Sequence, residues 1–133
     1  ERVQQKWQQV AVEAIKQCGS PWLPLVDAPH KISNYLLSGT DFELALVGAL
    51  QCDRKHPREY FAAFQKEKGK MPKTASLWVG PEGDFTELEL QSIIASGALP
   101  ITMGDLVLRT ETAAIYGLSI LNYEVQAARS GLA

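Results

Sequence analysis

Cysteine is scarce in this chain. Cys18 and Cys52 are the only two in 133 residues. They are too few for a disulfide framework and lack the spacing of metal ligands, so the expectation is reduced thiols, a cytoplasmic protein and no metal. Long apolar runs are also missing: none approaches the roughly 20 residues that a membrane span requires, which argues against a membrane protein. There is no initiator methionine and no signal-like start, because Glu1-Arg2-Val3-Gln4-Gln5-Lys6 is polar, and the sequence reads as a piece of a longer protein. Neither charge sign dominates. Thirteen basic residues against 15 acidic ones give a net charge of −2, which argues against a chain that coats nucleic acid by bulk charge. No internal repeat, low-complexity tract or linker interrupts the sequence, so residues 1–133 read as a single domain.

What is present is an alternation of helix-like and strand-like runs. Val3, Trp7, Val10, Ala14 and Cys18 recur at helical spacing; Gly19 suits the stop and Pro21 prevents continuation. Trp22 to Val26 reads as a short edge strand interrupted by Pro24, and Lys31 to Leu37 as a short helix ended by Gly39. Glu43 to Val47 is a buried strand opening into Gly48. Arg58 to Lys68 is a helix with Pro57 in its first turn and Gly69 after its end. Its apolar side is Phe61, Ala62 and Phe64, and its other side is basic. Ala75 to Val79 is the second buried strand. Thr86 and Glu89 form a capping box that launches a helix through Leu90, Ile93 and Ile94 to Gly97. Leu99 to Met103 is the third strand, ending at Gly104, and Thr110 to Ala128 is the last helix, burying Ala114, Leu118, Leu121 and Val125. Trp7 and Trp78 are assigned to the core. Strands alternating with helices define an α/β fold, a mostly parallel sheet with helices on both faces.

Two segments concentrate the chemistry. Gly80-Pro81-Glu82-Gly83-Asp84-Phe85 follows a strand, and Leu108-Arg109-Thr110-Glu111-Thr112-Ala113-Ala114 opens the last helix. Ligands of open α/β sheets bind at strand ends, where backbone groups are free, so the two segments suggest one bipartite pocket. The first is neither a dinucleotide nor a phosphate loop, because its glycines stand three apart and no Lys-Ser/Thr follows. A glutamate inside it suits a neutral or cationic ligand better than a phosphate. A tight turn with a surface Glu82 explains the same residues. In the second segment Arg109 stands beside the apolar Leu106-Val107-Leu108, where a guanidinium requires a carboxylate, carbonyl or phosphate partner if it is buried. A capping Thr with Arg109 paired to Glu111 is the plainer alternative.

Other constellations carry less. His30 and His56 have surface or turn roles, since neither has a carboxylate or cysteine at ligand spacing. Cys52 near His56 lacks a third orienting group for a thiol nucleophile. From Arg54 to Lys73 run seven basic residues against two acidic ones, which is either a solvated helix face or a phosphate-contacting strip beginning with Arg54, Lys55 and Arg58.

Taken together, the motifs resemble the catalytic domain of the RsmE-type 16S ribosomal RNA (uracil-N3)-methyltransferases of the SPOUT superfamily. That family carries G-P-E-G-G-F after a strand and L-G-x-x-x-L-R-T-E-T-A before its terminal helix. Here these read Gly80-Pro81-Glu82-Gly83-Asp84-Phe85 and Met103-Gly104-Asp105-Leu106-Val107-Leu108-Arg109-Thr110-Glu111-Thr112-Ala113. The run from Trp7 to Gly19 matches the family's W-Q-K-I-A-x-E-A-x-x-Q-C-G. Asp84 departs from the family's second glycine, and Val47-Gly48 stands where a His-Pro-like pair is usual.

The resemblance implies a C-terminal trefoil knot that holds S-adenosylmethionine between three loops, a homodimer, and 16S rRNA of the small ribosomal subunit as partner. It implies cofactor contacts at Val47, Gly48, Gly80, Pro81, Glu82, Gly83, Met103, Gly104, Leu106, Leu108, Arg109 and Thr112. Arg109, Glu111 and Glu82 become the catalytic candidates, and Arg54, Lys55 and Arg58 the RNA contacts. It also implies that an N-terminal PUA-like RNA-binding domain and the first part of the catalytic domain lie upstream of Glu1. The implied reaction is methyl transfer to N3 of a uridine. A non-catalytic RNA- or ligand-binding module on the same scaffold is the alternative, and a nucleotide-phosphate-binding domain is disfavoured by the missing phosphate-loop lysine.

Overall fold

The computed structural model describes residues 2–131, which fall into two compact units, one ending at Leu37 and the other beginning at Ser38. The first unit holds α1 (Arg2–Cys18) and α2 (Ile32–Leu37). Gly19 and Gly39 both take left-handed φ, 71° and 68°, and Gly19 closes α1 by donating to the Ile15 carbonyl at 2.8 Å. The expected strand from Trp22 to Val26 does not form. Side chains of α1 satisfy that segment's backbone instead: Gln8 accepts from the Val26 amide at 2.9 Å and donates to the Pro24 carbonyl at 2.9 Å, while Gln4 donates to the Val26 carbonyl at 2.8 Å. A glutamine amide thus stands where a partner strand would. Trp7 is 49% exposed rather than part of a core.

The second unit holds β1 (Leu44–Gly48), α3 (Pro57–Lys68), β2 (Ala75–Trp78), α4 (Glu87–Ala95), β3 (Leu99–Ile101) and α5 (Thr110–Arg129). Its three strands are all parallel in the order β2-β1-β3. The register pairs Val47 with Trp78 and Gly48 with Ile101, so the C-terminal ends of the strands meet at one edge. Alternate residues of a strand face opposite sides, and Leu46 and Val47 are both fully buried; both faces of β1 are therefore covered. The edge strand β2 is only partly buried throughout, less than expected, because it has one neighbour. Beyond β3 the backbone of Lys55 adds a single bridge, accepting from the Thr102 amide at 3.0 Å and donating to the Pro100 carbonyl at 3.2 Å.

Capping fixes the helices where the sequence signals them. Thr86 and Glu89 exchange the two hydrogen bonds of a capping box, and Gly69 ends α3 with φ 68°. His56 caps α3, its Nδ1 accepting from the Arg58 amide at 3.2 Å, which gives this histidine a structural task. Leu44, Leu46, Phe61 and Ile101 form the core cluster, with Leu77, Leu121 and Tyr60 packed against it. Ala62, expected on the apolar side of α3, is exposed, and Ile94 of α4 is too.

The last helix turns a different face inward from the expected one. Ala113, Gly117 and Glu124 are its buried residues, whereas Leu118 is 60% exposed and Ala114, Leu121 and Val125 are only partly covered. Two contacts explain the rotation. A Cβ on Gly117 would overlap Cδ2 of Leu77, so the absent side chain lets α5 close on β2. Glu124 meets the Arg58 guanidinium of α3 at 3.8 Å, which compensates a carboxylate that would otherwise be costly to bury. Gly117→Val should therefore lower stability by about 1–3 kcal/mol through overpacking, read as a fall in the urea midpoint. An unchanged midpoint would show that Leu77 yields freely.

Candidate functional site

An open cleft lies at the C-terminal edge of the sheet, within the second unit. Three strand ends and their loops wall it: Gly48 at the end of β1 with Ala49 and Leu50 after it; Val79 to Glu82 and Asp84 after β2; and Met103, Gly104 and Leu106 to Leu108 after β3. Arg54, Ile101, Thr110 and Ala113 complete the lining. The two sequence segments thus meet in one pocket, as the bipartite reading expects.

The loops are tied to one another by identifiable bonds. The Thr110 hydroxyl donates to the Gly80 carbonyl at 2.9 Å, joining the start of α5 to the second loop. The N-cap of α5 is Arg109, with extended backbone (φ −61°, ψ 151°) and no capping side chain, so Thr110 is not the cap the sequence suggested. The Met103 methyl occupies the space a Cβ on Gly48 would need. In the second loop the Asp84 amide closes a turn onto the Pro81 carbonyl at 2.8 Å. Asp84 itself takes φ 64°, a left-handed conformation that aspartate tolerates better than most residues. The departure from glycine at this position therefore leaves the backbone in a glycine-like conformation. Gly104 carries φ 101°, where a side chain would be strained. Gly83 has neither a left-handed φ nor an atom within 4 Å of a would-be Cβ.

Of the residues expected at a cofactor, Gly48, Gly80, Pro81, Glu82, Met103, Gly104, Leu106 and Leu108 line the cleft. Val47, Gly83, Arg109 and Thr112 are not among its lining residues; Val47 is sealed inside the sheet. Glu82 is in the wall, while Glu111 and Arg109 are exposed on the first turn and cap of α5. The Arg109–Glu111 pair does not form, and among the described residues the Arg109 guanidinium has no ion-pair partner. Of the expected RNA contacts only Arg54 reaches the cleft, donating to the Ala49 carbonyl at 3.1 Å. Lys55 lies over the Tyr60 ring, 6.0 Å from its centroid, and Arg58 is engaged by Glu124.

Sequence reasoning left out Ala49, Leu50, Val79, Asp84, Ile101, Val107, Thr110 and Ala113 as cleft residues. Thr110 and Ala113 sit inside the Met103–Ala113 motif, and Asp84 is the departure in the Gly80–Phe85 motif. Cys52, beside this wall, has its thiol pushed up mainly by burial, with Arg54 partly opposing; that keeps it protonated and unsuited to nucleophilic attack. No cluster of three or more His, Cys, Asp or Glu that could hold a metal occurs among the described residues, and no helix among them is long and apolar enough to cross a membrane.

A parallel sheet whose strand-end loops enclose a cleft is the arrangement of an α/β ligand-binding domain. The chain belongs to the RNA methyltransferase domain family, which it matches over residues 1–122. It is 29% identical over 127 residues to the Ribosomal RNA small subunit methyltransferase E of Bacillus subtilis, covering 94% of this chain and 48% of that protein. To the protein of the same name in Synechocystis it is 30% identical over 118 residues, covering 89% of this chain and 38% of that one. Among solved structures, a Legionella pneumophila protein described as a methyltransferase, in complex with the bound cofactor SAM, superposes with a TM-score of 0.79 at 30% identity. That match covers 92% of this chain and 46% of the other. The RsmE-type resemblance read from the three motifs is borne out by these relatives, and the chain spans about half the length, or less, of the relatives it matches.

Proposed function

We propose that the protein carrying this chain transfers the methyl group of S-adenosylmethionine to N3 of a uridine in 16S ribosomal RNA. The observation that carries the proposal is the convergence of the Gly80–Glu82 and Met103–Leu108 segments on one cleft, together with relatives named for ribosomal RNA methylation. S-adenosylmethionine, when bound, supplies a methyl group on a positively charged sulfonium. The cleft suits it: glycines and a proline let main chain approach closely, Leu106 and Leu108 offer apolar cover, and Glu82 and Asp84 balance positive charge. The trefoil knot implied by the resemblance belongs to the same proposal, as does a cytoplasmic location where ribosomes are assembled.

Neutral uracil carries a proton on N3, so that proton must leave and the negative charge on the base must be stabilised. Glu82, in the cleft wall, is the first candidate to take the proton; Glu111, exposed in the first turn of α5, is the other. Arg109, without an ion-pair partner among the described residues, is the group that stabilises the charge. Arg54, Lys55 and Arg58 guide the RNA. A homodimer completes the site, a reading supported by the exposed Ile115, Tyr116 and Tyr123 of α5, more apolar surface than one core uses.

The full-length protein, incubated with S-adenosylmethionine bearing a labelled methyl group and small ribosomal subunits, should yield 3-methyluridine in the RNA. Tight binding without any transfer would favour the non-catalytic module instead, and competition by ATP but not S-adenosylhomocysteine would overturn both. Sedimentation of the same protein at tens of micromolar, roughly where specific interfaces persist, should show a dimer; a lone monomer would remove the second subunit from the site.

A further inference from the structure

We propose that Arg54 and Asp84 are positioning residues that jointly clamp one peptide unit of the cleft wall, the one between Ala49 and Leu50. The Arg54 guanidinium donates to the Ala49 carbonyl at 3.1 Å. The Leu50 amide donates to Asp84 Oδ2 at 3.4 Å. These are the two polar groups of a single planar trans peptide, which point in opposite directions. A cation therefore holds the carbonyl end and an anion the amide end, each charge matched in sign to the dipole it meets.

The clamp is itself well anchored on the acidic side. The other oxygen of Asp84, Oδ1, accepts from the Phe85 amide at 2.8 Å, and the left-handed backbone of Asp84 is fixed by its turn to Pro81. All four residues line the cleft, and the Asp84 bond links the loop after β1 to the loop after β2. Rotation of the peptide would exchange donor for acceptor in that wall, so the clamp decides which polar edge a ligand meets. It also gives Arg54 a task distinct from contacting RNA. Neither bond supports much of the core, because Leu50 and Arg54 are both exposed. The effect belongs to site geometry.

The binding half of this inference rests on the cleft being the S-adenosylmethionine site; the peptide half does not. The test uses the full chain and the variants Asp84→Gly, Asp84→Asn, Arg54→Ala and the Asp84→Gly/Arg54→Ala double. Glycine accepts φ 64° without strain, so Asp84→Gly keeps the turn while removing the carboxylate. Amide hydrogen exchange at Leu50, without ligand, should accelerate about tenfold in Asp84→Gly and remain largely protected in Asp84→Asn, whose amide oxygen still accepts. It should also accelerate in Arg54→Ala, although Arg54 does not touch that N–H. Exchange unchanged in Asp84→Gly, or accelerated only in the Asp84 variant and not in Arg54→Ala, would overturn the clamp.

By calorimetry, Asp84→Gly and Arg54→Ala should each bind S-adenosylhomocysteine several-fold more weakly, and Asp84→Asn should bind nearly as well as the unaltered protein. The double should lose clearly less than the product of the two, because either loss alone frees the same peptide. Losses that multiply would mean two independent contacts and no clamp. Failure of the unaltered protein to bind S-adenosylhomocysteine would reject the functional reading, and Leu50 exchange would still decide the clamp.

Discussion

Valine at position 80 should weaken S-adenosylmethionine binding by about two orders of magnitude while leaving the chain folded. Gly80 does not need glycine for its own φ; it needs the space. A Cβ there would sit 3.0 Å from Asp84 Oδ1, 3.1 Å from the Phe85 amide nitrogen and 3.3 Å from the Phe85 ring. Two of those neighbours cannot swing aside, since the Phe85 nitrogen is backbone and the Asp84 carboxylate is bonded to it. The added methyls of valine would have to displace the turn itself, and with it the carbonyl that receives Thr110. The chain should stay folded because Leu44, Leu46 and Phe61 of the core cluster are not among the residues that line the cleft. Calorimetry should report the lost affinity, and circular dichroism should report an unchanged helical spectrum. Full-strength binding in a folded Gly80→Val protein would place the cofactor away from this loop.

The parts of this fold that were legible in the sequence are those whose signals are local. The Thr86/Glu89 box, Pro57 and Gly69 mark helix ends through groups within a few residues of one another, and the compact apolar run of β1 can only be a covered strand. What failed was decided by partners distant in sequence. The buried face of α5 follows from Leu77 on β2 and Arg58 on α3, so a helical wheel that ranks Leu118 above Gly117 and Glu124 points the wrong way. Trp22 to Val26 has strand-like composition, yet Gln8 and Gln4 satisfy its backbone.

The cleft divides in the same manner. Gly80 to Glu82 and Met103 to Leu108 were visible as a loop after a strand. That Asp84, Arg54 and the Ala49–Leu50 peptide share their wall depends on the β2-β1-β3 order, which sets the loop after β1 between the other two. Asp84 is the instructive residue. As a departure from glycine it suggests an altered loop; its φ of 64° and its bonds to Phe85 and Leu50 keep the glycine conformation and add a link.

The other large effect expected is at Arg109. If its guanidinium stabilises the charge that develops on the uracil, Arg109→Ala should slow methylation by roughly 100- to 1,000-fold, about 2.7–4 kcal/mol, with little change in cofactor affinity. Lysine should restore only part of the rate, because a point charge does not reproduce the planar fork. The competing structural role, a pair with Glu111 that steadies the helix, predicts a lower melting temperature and nearly normal turnover. That role has no contact to support it: Arg109 caps α5 through its backbone alone, its side chain is exposed, and the pair with Glu111 is not formed. An alanine at the cap should therefore leave the melting temperature almost where it was, and the rate loss should appear in folded protein. Single-turnover methylation and thermal melting, measured on one preparation of the full-length variant, separate the two roles. Normal turnover in Arg109→Ala would remove this residue from the chemistry and leave Glu82 and the cleft backbone to account for it.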